Sequence, residues 1–421
     1  MVWLEALPER LRLSLWFVPG MLAICAGVLA FALVAVDQRL SGDPDWLVFA
    51  FGGTAEGARA VLSVIATSML TFTGLVFSIT MLVLQLASSQ LSPRVTRTFL
   101  RDRGNQVVLG IFVATFVYTL VVLHEVRAPT EAGEGFVPSL SIWVAFALLF
   151  GSIGAFIWYI DHMAHAIRAS TVITAIWRET VSAIERLFPE RIGTDAPTGV
   201  EQVPDRSASG RLLGSHEAGV VMGIDDDGLE AVASHGDRVL ELLPAIGDFV
   251  PEGAPLARLW GEWDEAALDD VRGAVGLGGE RTLEQDAAFG LRQLVDIALR
   301  ALSPGINDPS TAVQALDRIH DLLRRLAVRR FPTSARAVDG VVRLRLNRPG
   351  WDDLLRLALE EIRLAGAHQV QIDRRLRVLL DDLMSIAPDG RLPALRRELE
   401  RLGAGHNHPE TALVDRQGPP P

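Results

Sequence analysis

The side chains in this sequence with the most evident chemical capacity are hydroxyls. Ser63, Thr67, Thr71, Gly74, Ser78, Gln85 and Ser89 recur at spacings of three, four and seven. On one helix, at about 100° per residue, they share with Ser92 an arc of roughly 80°. Such oxygens can replace part of an ion's hydration shell without a fixed charge that would trap it, as along a pore. The same small residues also let helices approach closely, their hydroxyls bonding back to the carbonyl one turn earlier. Both readings stay open here. Downstream, Arg94, Arg97 and Arg101 follow at helical spacing. They suit a cytoplasmic vestibule at the end of that helix, or the ordinary arginine anchor at a membrane surface.

Other groups carry weaker signals. Asp161, His162 and His165 can share one helical face, and imidazole with carboxylate can bind a divalent metal or respond to pH. A structural interfacial cluster is the simpler account, and no metal is expected here. Arg292, Asp296, Asn307 and Asp308 can converge on a polar ligand pocket between two helices. Turn chemistry is the competing account, because Pro304-Gly305 stops one helix and Asp308-Pro309 starts the next. His124-Glu125 and His406-Asn-His408 carry little.

The exclusions are sharper. Every basic residue is arginine, so a phosphate-gripping lysine, a Schiff-base lysine and a biotinyl- or lipoyl-lysine are ruled out. One cysteine, Cys25, leaves no disulfide framework or CxxC site. The formal net charge of −11 offers no global attraction to nucleic acid or anionic lipid. No GxxxxGK[ST], GxSxG or HExxH motif is present, and no cofactor is expected. Two acids brought together by folding leave no linear trace, so carboxylate catalysis stays open.

The elements that must position these groups are first of all membrane spans. Uncharged runs cover Leu13–Val36, Ala60–Pro93, Val107–Leu123 and Phe136–Ile160, each long enough to cross a bilayer. Pro19-Gly20 marks a possible kink in the first. The second reaches on the order of 50 Å as a helix, against roughly 30 Å of hydrocarbon, and should protrude. The loop between spans two and three is arginine-rich, whereas the other two loops are acidic, Asp37 among their residues. By the positive-inside rule both termini are expected to be cytoplasmic.

The expected fold is therefore a four-span α-helical membrane protein with a cytoplasmic α+β region containing a small β-barrel-like unit and a helical bundle. Its parts are a transmembrane domain over 1–170, a helical extension and linker over 171–214, and a β-rich unit over 215–262. A helical domain over 263–402 and a disordered tail over 403–421 follow. Strands are expected at Ala218–Ile224, Leu229–Ala233, Arg238–Leu242, Asp248–Val250 and Pro255–Trp260. Gly247 to Leu256 is similar to the strand–turn–strand of small biotinyl/lipoyl-like barrels, in fold only. Helices are expected from Leu283 to Leu302, from Pro309 to about Val328, near Trp351–Ser385 and at Pro393–Leu402.

Three stretches carry a family resemblance. They are Arg281-Thr-Leu-Glu-Gln-Asp286 with Phe289–Ala298 and Ser303–Ala312, Thr71–Thr80 with Gln90–Arg94, and Phe156–Ser170. They resemble a bacterial membrane-protein family catalogued as a domain of unknown function, number 2254. The resemblance implies a multi-span inner-membrane protein and transfers no activity. The expected function is an oligomeric ion channel whose second span lines the path, its partners being the bilayer, small ions and further copies of the chain. The alternative is a non-conducting scaffold or ligand sensor using the Asn307–Asp308 region.

Overall fold

The computed structural model describes residues 16–40, 54–90, 103–128, 135–166, 168–190, 192, 210–338 and 340–404. It divides into two compact units, residues 1–172 and 173–421.

The first unit contains α1 (Phe17–Leu40), α2 (Ala55–Gln90), α3 (Arg103–Glu125) and α4 (Ser139–Ala166). Among the described residues these four helices are long and apolar enough to cross a membrane. Pro19 sits in the first turn of α1, where its missing N–H costs nothing. The central helix is α3, which packs against the other three. Gly110 permits this, because a Cβ there would fall 2.6 Å from Leu22 Cδ1 and 3.3 Å from the Pro19 backbone. The rings of Phe72, Phe112 and Phe156 fill the middle, with centroids 4.8 to 6.4 Å apart.

Polar groups inside this bundle are satisfied, as a low-dielectric interior demands. The Thr80 hydroxyl lies 2.8 Å from the Val76 carbonyl, 3.1 Å from Asn105 Oδ1 and 2.9 Å from the Tyr159 hydroxyl. Tyr118 donates to the Ser141 carbonyl at 2.9 Å, so both tyrosines of the chain are buried here. Asp37, assigned by sequence to an acidic loop, instead lies in the last turn of α1 and is 3% exposed. Its carboxylate accepts from the Leu140 and Ser141 amides at 3.0 and 2.9 Å and from Ser141 Oγ at 2.7 Å. It thus caps α4 from another helix, at the end where the helix dipole favours an anion.

In the second unit, α5 (Ala169–Leu187) leads to two sheets and a helical layer. The strands are β1 (Arg211–Gly214), β2 (Gly219–Ile224), β3 (Val239–Leu242), β4 (Phe249–Val250), β5 (Pro255–Trp260) and β6 (Val275–Gly278). Two later strands are β7 (Ala335–Val338) and β8 (Val341–Arg345). One sheet runs β1-β5-β3-β8-β7, the other β4-β2-β6. Among the described residues they close no barrel, contrary to the barrel-like unit expected from sequence. The physical reason is long-range pairing: β3 takes β8 as a parallel neighbour, Leu240 opposite Leu344, and the sheet extends into β7 instead of curling onto β1.

Three local expectations also change. Leu229–Ala233 is not a strand but part of α6 (Asp226–Ala233), started by Asp225, whose side chain accepts from the Gly228 amide. Arg211–Gly214, read as linker, is an edge strand paired with β5. Val341 to Leu346, inside the stretch read as helical, buries Val342, Leu344 and Leu346 in alternation. A short helix α7 (Glu265–Gly273) precedes β6. The helical layer is α8 (Ala287–Leu302), α9 (Pro309–Ala327), α10 (Trp351–Ala365), α11 (Val370–Ile386) and α12 (Leu392–Ala404). Gly403 therefore closes a helix, while residues 405–421 of the expected tail lie outside the described residues.

Candidate functional site

The packed face of α2 carries Ala58, Leu62, Ile65, Met69, Val76 and Val83, all buried. At about 100° per residue the hydroxyl arc lies diametrically opposite that face. Ser63, Thr67, Thr71, Gly74, Ser78 and Gln85 are each exposed. Thr71 donates to the Thr67 carbonyl at 3.0 Å and Ser78 to the Gly74 carbonyl at 2.9 Å. These donors are spent within the helix, so the oxygen lone pairs point outward. Exposed apolar residues frame the stripe, with Val64, Leu75 and Leu82 on one flank and Leu70 and Phe77 on the other. Ser89 continues the arc along the backbone, but its side chain, and all of Arg94, Arg97 and Arg101, lie outside the described residues.

The histidine group separates into two local contacts. The His162 ring stacks on Trp158 at 4.7 Å, whereas His165 Nδ1 sits 2.8 Å from the Asp161 carbonyl and 3.6 Å from its carboxylate. Among the described residues no three His, Cys, Asp or Glu side chains converge as a metal cluster.

The candidates in the second unit serve different joints. Arg292 donates from Nε to Asp296 Oδ1 at 2.8 Å and grips both Glu361 oxygens, tying α8 to α10. Asn307 adopts a left-handed backbone, φ 49°, and its Oδ1 accepts from Gln369 Nε2 at 3.2 Å. Asp308 caps α9, accepting from the Thr311 amide and hydroxyl, which hold its carboxyl below the usual range. Every one of these groups has a turn-forming or helix-joining task.

Sequence reasoning missed the residues that join the sheets to the helices. Arg281 donates to Asp286 Oδ2 at 2.9 and 2.7 Å, and Asp286 Oδ1 caps α8 at the Phe289 amide. Burial pushes the Asp286 carboxyl up, against the pull of Arg281. The same guanidinium fills the space a side chain would need at Gly247, whose φ of 94° already favours glycine. Gln285 Oε1 accepts the Ile224 amide at 2.9 Å. The Arg281–Asp286 string is thus a clasp, and its signal was the acid placed just ahead of an apolar-periodic run.

Two further clusters link helices. His320 Nε2 meets Asp382 at 2.7 Å while its Nδ1 faces Arg375 at 2.8 Å, and Arg324 also grips Asp382. With both ring nitrogens engaged, His320 is a bridge between α9 and α11. Arg391 donates to the Leu326 and Arg329 carbonyls at the end of α9, between the rings of Phe331 and Trp351. Burial pulls its pKa down to about 10.

Four apolar helices joined to a mixed sheet-and-helix unit define a polytopic α-helical membrane protein. The chain belongs to the family described as "Predicted membrane protein (DUF2254)", which it matches over residues 12–382. It is 34% identical over 395 residues to the uncharacterized protein Rv1290c of Mycobacterium tuberculosis. The same identity and length relate it to the uncharacterized protein Mb1321c of Mycobacterium bovis. Each alignment covers 91% of this chain and 73% of the relative. No solved structure matches it significantly.

Proposed function

We propose that the chain is one subunit of an oligomeric ion channel in a bacterial inner membrane. The α2 helices of several copies line a path for small ions, and the soluble unit assembles or gates it. The supporting observation is the direction of the α2 stripe, away from its own bundle. In hydrocarbon, Gln85 would leave an amide without water, a cost on the order of 4–8 kcal/mol. Water at a symmetry axis removes that cost, while the apolar flanks pack against neighbouring copies. Outward lone pairs on Thr71 and Ser78 favour cations over anions. The arginines following α2 favour a cytoplasmic location for that end, and hence for both termini.

The test is reconstitution of the full chain into planar bilayers. Current should appear, and Thr71→Leu or Ser78→Leu should reduce it sharply while the protein still folds. An oligomer that passes no current, or a current indifferent to both substitutions, overturns the proposal.

A further inference from the structure

We infer that the end of the helical layer formed by the α8–α9 and α10–α11 turns is a lipid-docking surface that rests on the bilayer. The two turns are held together where Gln369 donates to Asn307. Around that bond three large apolar side chains are open to solvent: Ile306 at 40%, Leu364 at 62% and Val370 at 72% exposure. Removing such side chains from water is favourable wherever an apolar environment lies within reach. Their exposure together on one tip of an otherwise well-packed helical layer marks a surface that is covered in use.

What covers it follows from where the tip lies in its own unit. The side-chain contacts that link α5 and the residue after it to α9 and the residues after it follow the same chain order on both. Trp177 Nε1 donates to Asp321 at 2.7 Å, Glu185 meets Arg325 at 3.8 Å, and the Phe188 carbonyl accepts from Arg329 at 2.6 Å. With this register, the start of α9 and the turn before it lie at the end of α5 where the second unit begins. The last apolar helix ends at Ala166 and the unit begins at Ile173. The residues between them span no more than about 25 Å even when extended. The tip is therefore tethered within reach of the membrane surface by covalent connection alone.

Charge permits the contact. Arg300 and Arg374 are exposed beside the patch. The neighbouring carboxylates are committed: Asp308 to Thr311, Asp373 to Arg377 and Glu361 to Arg292. Glu360 sits one turn further from the tip, about 6 Å along α10. The surface fits the shallow insertion of apolar side chains between headgroups, with arginines at phosphate level. It requires no conduction path.

The experiment uses full-length protein in a Cys25→Ser background, in nanodiscs of phosphatidylcholine with phosphatidylglycerol. Ile306→Cys, Leu364→Cys and Val370→Cys are labelled singly with an environment-sensitive fluorophore. Val378→Cys, two turns further along α11 and 54% exposed, serves as reference. We expect blue-shifted emission and quenching by doxyl-labelled lipid at the three tip positions and neither at 378. Arg374→Gln should weaken tip quenching by about fivefold, the size expected of one basic side chain at an anionic surface. Tip labels that remain water-exposed overturn the inference. So does a blue shift that lipid quenchers do not touch, which would mean protein covers the tip.

Discussion

The outer face of α2 and the Ser303–Ala312 turn are both polar, and the difference between them lies in what their polarity is for. In the turn, Asp308 caps a helix, Asn307 takes a left-handed backbone, and their side chains have partners within the unit. On α2, the polar arc points away from the buried face of the helix, and its Thr71 and Ser78 hydroxyls donate to the helix's own backbone. Polar residues whose bonds are made within a turn need no further explanation. In a helix that crosses hydrocarbon, an outward polar arc needs a partner beyond the chain or water.

This contrast can be broken by substitution. The largest expected effect is at Gly290, where any Cβ would overlap the Thr180 side chain between α8 and α5. Gly290→Val should destabilise the second unit by about 3 kcal/mol, read as a lower urea midpoint of tryptophan fluorescence in detergent. Next is Asp37→Ala, which strips α4 of its cap and leaves buried amides without an acceptor. A loss of about 2 kcal/mol is expected, seen as a lower thermal midpoint, and Asp37→Asn should recover part of it.

Asp308→Ala should cost about 1 kcal/mol, the usual worth of a helix cap, and leave any membrane current unchanged. A current lost with the cap intact elsewhere would make the turn more than structural. Thr71→Leu should do the reverse, leaving the stability measured by urea unfolding within about 0.5 kcal/mol while reducing current. The smallest effect concerns Asp382, whose carboxyl Arg324 and His320 hold below its ordinary value. The native state then binds fewer protons than the unfolded chain, so this pair stabilises above the ordinary aspartate pKa. That contribution should fade as pH falls below about 4, and Asp382→Asn should flatten the pH dependence of stability there.

Much of this protein was legible in its sequence where the determining physics is local. Four uncharged runs fixed the apolar helices because crossing hydrocarbon forbids charge along a whole segment. Asp308-Pro309 fixed a helix start, since cap and ring act within one turn. The arc on α2 was visible because its period is that of the helix itself. Val341–Leu346 alternates as a half-buried strand does but lies in a stretch expected to be helical, and its partner could not be read at all: pairing β8 beside β3 joins segments about a hundred residues apart. Nor could the sequence say which side of α2 faces its bundle, that Asp37 caps α4, or that Arg281 occupies the space above Gly247. Those relations depend on distances between elements, set by packing the whole unit at once, and no periodicity along the chain records them.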